Sequence, residues 1–202
     1  MTSYYLARLD IGSAPGLKET VSGLRALVNM TRFDGSGASG ICAKIFSRED
    51  FGSADVDCRI EVYLLFKVFL EKHEPSLMMM GDEFILGMTT IASKERHPRC
   101  LQIVFSNIRA ILENWNIKSC VQQLWEYVAQ YYPISYYVKP GDSASTALEE
   151  LKRELRYCIA ATPDFAPFAF EFLLGKLDTQ VSAEVKVGSH RFVSQVMQTD
   201  LK

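Results

Sequence analysis

Residues 156–179 read RYCIAATPDFAPFAFEFLLGKLDT, two apolar runs of helical character joined by a hinge of alanine and proline. Thr162 precedes Pro163, and a residue before proline is pushed out of the helical region, so the first run ends at the hinge. Asp caps exposed amides well, which predicts Asp164 as the start of the next helix. Pro167 then falls at the third helical position, where an amide has no intrahelical acceptor and its loss costs little. Phe165, Phe168, Ala169, Phe172 and Leu173 recur at spacings of three and four and form one buried stripe, which Phe170 and Leu174 widen. A helix apolar on more than one side needs neighbours on two faces, as an inner helix in a layered stack of helical pairs has. An ordinary core helix shows the same periodicity, so the rest of the chain must decide.

Working outward, the pattern is helical almost throughout. Asp57 predicts a cap for a helix ending near residue 73, with Ile60, Tyr63, Leu64, Lys67 and Val68 on one side and Val62, Phe66, Phe69 and Leu70 on another. Glu74-Pro75-Ser76 breaks it. A second helix over 77–93 carries Met78, Phe84, Ile85, Met88 and Ile91, and the polar run Lys94-Glu95-Arg96-His97-Pro98 follows. Leu101, Val104, Phe105, Ile108, Ile111, Leu112 and Trp115 then make the clearest amphipathic helix, stopped by Asn114 and Asn116. Residues 118–131, 145–160, 164–177 and 181–197 read as further helices, with Val121, Leu124, Trp125 and Val128 inward in the first of these. Residues 1–55 are less regular, with short helices over 4–9, 16–30 and 41–48. The tract Asp34-Gly35-Ser36-Gly37-Ala38-Ser39-Gly40 is too rich in glycine for a helix interior and is expected to be a mobile surface loop. No Lys-Ser or Lys-Thr follows it at Walker spacing and no strand precedes it, which argues against phosphate binding.

Helical pairs starting at Asp57, Arg99, Ser145 and Val181 are separated by 42, 46 and 36 residues. These intervals bracket the HEAT and armadillo period of about 40 to 47 residues. The expected fold is therefore all-α, an alpha-alpha superhelix of HEAT/armadillo-type helical pairs, with residues 1–202 forming one fragment. Its regular part, 56–202, holds about three pairs and one further helix.

The wording of the hinge, together with YYPISYYVKPGD at 131–142, resembles the MMS nineteen family, the HEAT-repeat scaffold of late cytosolic iron-sulfur protein assembly, also linked to nucleotide excision repair. Tyr132, Pro133, Ile134, Gly141 and Asp142 carry the resemblance in the earlier block. In the later one it rests on Leu148, Leu155, Cys158, Ala160, Ala161, Thr162, Pro163, Phe165, Ala166, Pro167, Phe168, Phe170, Leu173, Leu174, Lys176, Leu177 and Asp178. It covers roughly residues 57–179 and is strongest after Tyr131. In the family this block lies in the N-terminal half of a much longer solenoid, so the resemblance implies that the chain is a fragment. It also implies a non-catalytic adaptor of the iron-sulfur targeting complex, cytoplasmic and nuclear, without a cofactor. Its implied partners are the other subunits of that complex and recipient iron-sulfur proteins such as DNA helicases and polymerases, with no direct nucleic acid and no membrane. A generic HEAT or armadillo module in transport or transcription is the alternative. The family's loop after Tyr-Pro-Ile is richer in proline, whereas Ser135-Tyr136-Tyr137-Val138 here has the pattern of a short extended piece.

The residues themselves favour binding over chemistry. A formal charge of −2 and a pI near 6.0 give no global attraction for nucleic acid. Five cysteines scattered singly at 42, 58, 100, 120 and 158 make neither a disulfide framework nor cluster-ligand spacing, and read as small buried apolar residues in a reducing compartment. No targeting segment is read at the N-terminus and no apolar run reaches a bilayer span, so a soluble chain is expected. His73, His97 and His190 stand far from one another, and the one cysteine at helical spacing from any of them, Cys100 three residues after His97, makes no ligand set by itself, so a metal site is not expected. Cys58 with a remote His lacks an elbow or oxyanion loop. Asp164, Glu171 and Asp178, seven apart, share one helical face that solvation explains as well as acid-base work does. Lys94, Arg96, His97 and Arg99 form the one basic cluster, read as a loop facing water. The candidate partner-binding residues are Tyr132, Tyr136, Tyr137 and Lys139, since tyrosine beside proline in a connection between helices makes a plausible anchor.

Overall fold

The computed structural model describes residues 4, 7–9, 14–33, 35–49, 51–134 and 143–178. Of residues 14, 15, 143–146, 177 and 178 it describes the backbone alone. Among the described residues the chain is all-α, as the periodicity predicts, in the alpha-alpha superhelix class of paired helices: helix follows helix and there is no strand. The chain forms two compact units, residues 1–111 and 112–202.

In the first unit, α1 (Ala14–Val28) packs along α3 (Val56–Lys72). Leu17, Val21, Leu24 and Val28 recur on one face of α1 and are fully buried. At the rim of this contact Arg25 grips Glu61 through Nε and Nη2 at 2.9 and 3.2 Å. α3 is buried nearly all round, through Cys58, Ile60, Val62, Tyr63, Leu65, Phe66, Phe69 and Leu70, because it has neighbours on several sides. α6 (Pro98–Asn114) reaches it from another side, where the Asn107 Nδ2 donates to the Tyr63 carbonyl at 2.9 Å. α2 (Ala38–Phe46) packs on the short α4 (Glu74–Met78) and on α5 (Asp82–Ile91). The rings of Phe46, Phe66 and Phe84 meet at 5.5 to 6.0 Å and join α2, α3 and α5 into one core. Thus α1 packs along α3, hydrogen bonds join α6 to α3, and α2 and α5 lie on the side of α3 that carries Phe66, as paired-helix repeats share an apolar interior.

In the second unit, α7 (Val121–Ala129) packs on α8 (Ser143–Ile159) and on a 3-10 turn (Pro163–Phe165) that leads into α9 (Ala166–Asp178). Leu151, Leu155, Cys158 and Ile159 make the buried face of α8. The helical axes bend by 89° between residues 147–159 and 163–176, so the hinge of alanine and proline is a corner.

Several details depart from expectation. The cap of α3 is Asp55, whose Oδ1 accepts from the Cys58 amide at 2.8 Å, and Asp57 lies inside the first turn. The predicted helix over 77–93 is two helices, because Gly81 takes φ +54° and Pro75 is accommodated in the first turn of α4. The glycine-rich tract is not a surface loop throughout: Ala38, Ser39 and Gly40 open α2, and Ala38, Ile41, Cys42 and Ile45 bury at helical spacing. Gly35 is itself buried at φ +79°, and a Cβ there would stand 2.5 Å from Ser76 Oγ. At the corner the cap is Thr162, whose Oγ1 accepts from the Asp164 amide at 3.3 Å, and Asp164 is exposed. Leu174 does not widen the buried stripe, being 59% exposed. The predicted helix over 181–197 lies outside the described residues. No single helix among those described is long and apolar enough to cross a membrane.

Candidate interaction surfaces

Tyr132 sits where the chain leaves α7, half-buried, after a helix whose Trp125 is the hub of an aromatic cluster. Trp125 stacks on Phe168 at 6.3 Å and meets Phe165 and Phe172 edge-on at 5.5 and 5.8 Å. Tyr132 meets Phe172 edge-on at 6.0 Å, and Lys176 Nζ lies 5.2 Å over the same ring. Pairs of this geometry contribute about 0.5–1.5 kcal/mol each beyond their buried area. The ring of Tyr132 therefore ties the 130–134 segment to α9, with part of its surface left open. Tyr136, Tyr137 and Lys139 lie outside the described residues.

The basic run in the first unit contains a feature that its sequence conceals. Lys94, Arg96 and Arg99 are exposed, in keeping with a loop facing water, but Glu95 between them is 4% exposed. Arg59 Nε and Nη2 donate to its two oxygens at 2.8 and 3.2 Å, the Tyr63 hydroxyl at 3.3 Å, and the amides of Arg96 and His97 at 2.9 Å each. Burial alone would raise the Glu95 carboxyl, but these hydrogen bonds and the Arg59 charge outweigh it and hold the group below the usual carboxylate range. The carboxylate faces the start of α6, where the helix dipole favours a negative charge. The signal available beforehand was an acid just ahead of a proline-initiated helix; its partner, 36 residues upstream, has no local signature. Beside this strut a cleft of about 380 Å³ opens, with Arg59, Lys94, Glu95 and Arg96 among its lining.

The other reactive side chains serve the fold. All five cysteines are buried and free, as read from their positions in amphipathic helices. Burial pushes the Cys42 thiol up, and burial followed by the charge of Glu95 pushes Cys100 up to about 12, away from thiolate chemistry. His73 Nε2 lies 2.9 Å from the Val28 carbonyl, with its ring against Phe33 and Phe69. Asp164 and Glu171 are exposed, as a solvated face requires. Among the described residues no three His, Cys, Asp or Glu side chains are grouped to hold a metal ion.

Helices that pair and pack on one another define an all-α helical-repeat protein. The family model described as "Dos2-interacting transcription regulator of RNA-Pol-II", the MMS19 N-terminal family, matches residues 1–200. The chain belongs to the MMS19 family, and the match takes in the first 56 residues, which lie outside the span of the resemblance read from the sequence. It is 27% identical over 180 residues to the DNA repair/transcription protein mms19 of Schizosaccharomyces pombe, covering 88% of this chain and 17% of that protein. Over 161 residues it is 25% identical to the MMS19 nucleotide excision repair protein of Drosophila melanogaster, covering 80% of this chain and 17% of the relative. The MMS19 nucleotide excision repair protein homolog of Danio rerio is 29% identical over 180 residues, covering 88% and 17%. The chain thus spans about one sixth of the length of these relatives.

Proposed function

We propose that the chain is a segment of a non-catalytic scaffold that presents helical surface to partner proteins in cytosolic iron-sulfur protein assembly and in DNA repair. The observation that carries this reading is the family match over residues 1–200 on a chain folded as packed helical pairs. The segment works by offering area: successive helices expose a surface wide enough for a large partner, and no bond is made or broken. Its partners in this reading are the other subunits of the targeting complex and recipient apoproteins such as DNA helicases and polymerases, and its places of work are cytoplasm and nucleus. Burial of every cysteine supports a scaffold over a thiol enzyme or a cluster carrier.

The test is capture of a purified iron-sulfur helicase and, separately, of the assembly partners by the full-length protein. Replacing Tyr136 and Tyr137 with Ser is expected to weaken capture with the melting temperature nearly unchanged. A large fall in melting temperature would instead make them core residues, and unaltered capture would remove them from the contact. A second reading, an interaction module in transcription, is favoured by the family's description as a transcription regulator and by the name of the Schizosaccharomyces pombe relative. Binding to transcription factors with no measurable affinity for a recipient helicase would select it.

A further inference from the structure

The cleft beside Glu95 has a charge pattern at odds with the chain as a whole. Arg59, Lys94 and Arg96 line it, against one carboxylate. That carboxylate is turned inward and consumed, Oε1 accepting from Arg59 and the loop's own two amides and Oε2 from Arg59 and Tyr63. Lys94 and Arg96 are the exposed cations of its lining. Lys94 has no ion-pair or hydrogen-bond partner among the described residues. A local surplus of positive charge on a chain of net charge −2 is concentrated further by the low-dielectric wall behind it. Ile91 and Pro98 make part of that wall apolar.

We propose that this cleft is a docking site for an acidic peptide segment of a partner protein. Lys94 and Arg96 take its carboxylates, and an adjoining apolar side chain rests on Ile91 and Pro98. Glu95 is a positioning residue here: by holding the amides of Arg96 and His97 it sets the loop that carries both cations, so little ordering is left to be done on binding. Nucleic acid fits the cleft less well. No Phe, Tyr or Trp lines it to stack on a base. The proposal rests on the scaffold reading for the existence of a partner, and names one surface through which that partner is held.

The experiment is fluorescence anisotropy on the 202-residue chain. Its probes are a short labelled peptide of alternating Glu and Leu, a Lys and Leu peptide of equal length, and a single-stranded oligonucleotide. The acidic peptide is expected to bind, more weakly as salt rises, and the K94E/R96E double variant to lose about tenfold or more in affinity through like-charge opposition, at an unchanged melting temperature. Arg96 Nη1 also donates to the Glu95 carbonyl at 2.8 Å, so Lys94→Glu alone tests the cleft with that bond left in place. Equal affinity in the single and double variants and the unsubstituted chain overturns the proposal. So does preference for the Lys and Leu peptide or for the oligonucleotide. Loss of helicase capture by the full-length protein with peptide binding intact would strike the scaffold reading, and this site would stand.

Discussion

The Glu95 carboxylate shows how one residue can hold two elements. Through Arg59 and Tyr63 it grips α3, and through two loop amides it caps the entry to α6. Its side chain is 2% exposed and that of Arg59 17%, so the pair lies in a region where solvent screens little. Removing one partner of a buried pair leaves the other charge uncompensated, and Glu95→Ala is expected to cost about 3 kcal/mol, read by urea unfolding. The pH dependence follows from the depressed carboxyl. Because its folded value lies below its unfolded one, the stabilisation is complete above the usual carboxylate range and is lost as pH falls through the folded value. The gap in melting temperature between the unsubstituted chain and Glu95→Gln should therefore be wide at neutral pH and close in acid. A gap that ignores pH would assign the effect to packing.

At the scale of elements, Gly87 decides how closely α2 and α5 approach. A Cβ on Gly87 would overlap the ring of Phe46, which itself is wedged against Phe66 and Phe84. Gly87→Ala is expected to destabilise by about 2 kcal/mol, the usual scale of overpacking. Phe46→Leu in the same chain should recover part of that loss, giving a coupling in a double-mutant cycle, whereas strict additivity would mean the two helices do not meet there. The corner offers a cleaner discrimination. Thr162→Ala removes the observed cap and should cost about 1 kcal/mol, while Asp164→Ala should cost little, the reverse of what residue preference alone predicts. That preference failed for a physical reason: Pro163 starts a 3-10 turn before the helix, and this moves the capping position two residues upstream. The same kind of local shift placed the α3 cap at Asp55. Helix existence was legible because apolar spacing reports a face, as in α6, while cap positions and the break at Gly81 depend on backbone angles that neighbouring elements impose.

For the whole molecule, what the residues announced was the class and what they withheld was the contacts. The spacing of pair starts near 57, 99 and 145 survives as helices beginning at Val56, Pro98 and Ser143, since a repeat period follows from chain geometry. The strut from Arg59 to Glu95 was unreadable because it joins residues 36 apart through side chains whose types suit a solvated loop equally well. The cysteines connect both lessons. Each sits on, or next to, a different amphipathic helix, each was legible as a small apolar residue, and all five are buried as free thiols across the two units. A thiol reagent of the Ellman type should therefore titrate none of them in the native chain and all five in denaturant. Under native conditions the reaction should proceed only as fast as the helices open, with a rate that rises with urea along the unfolding transition. Rapid modification of one thiol in the folded chain would reveal an accessible, activated cysteine, and with it a chemistry that a purely presenting surface has no use for.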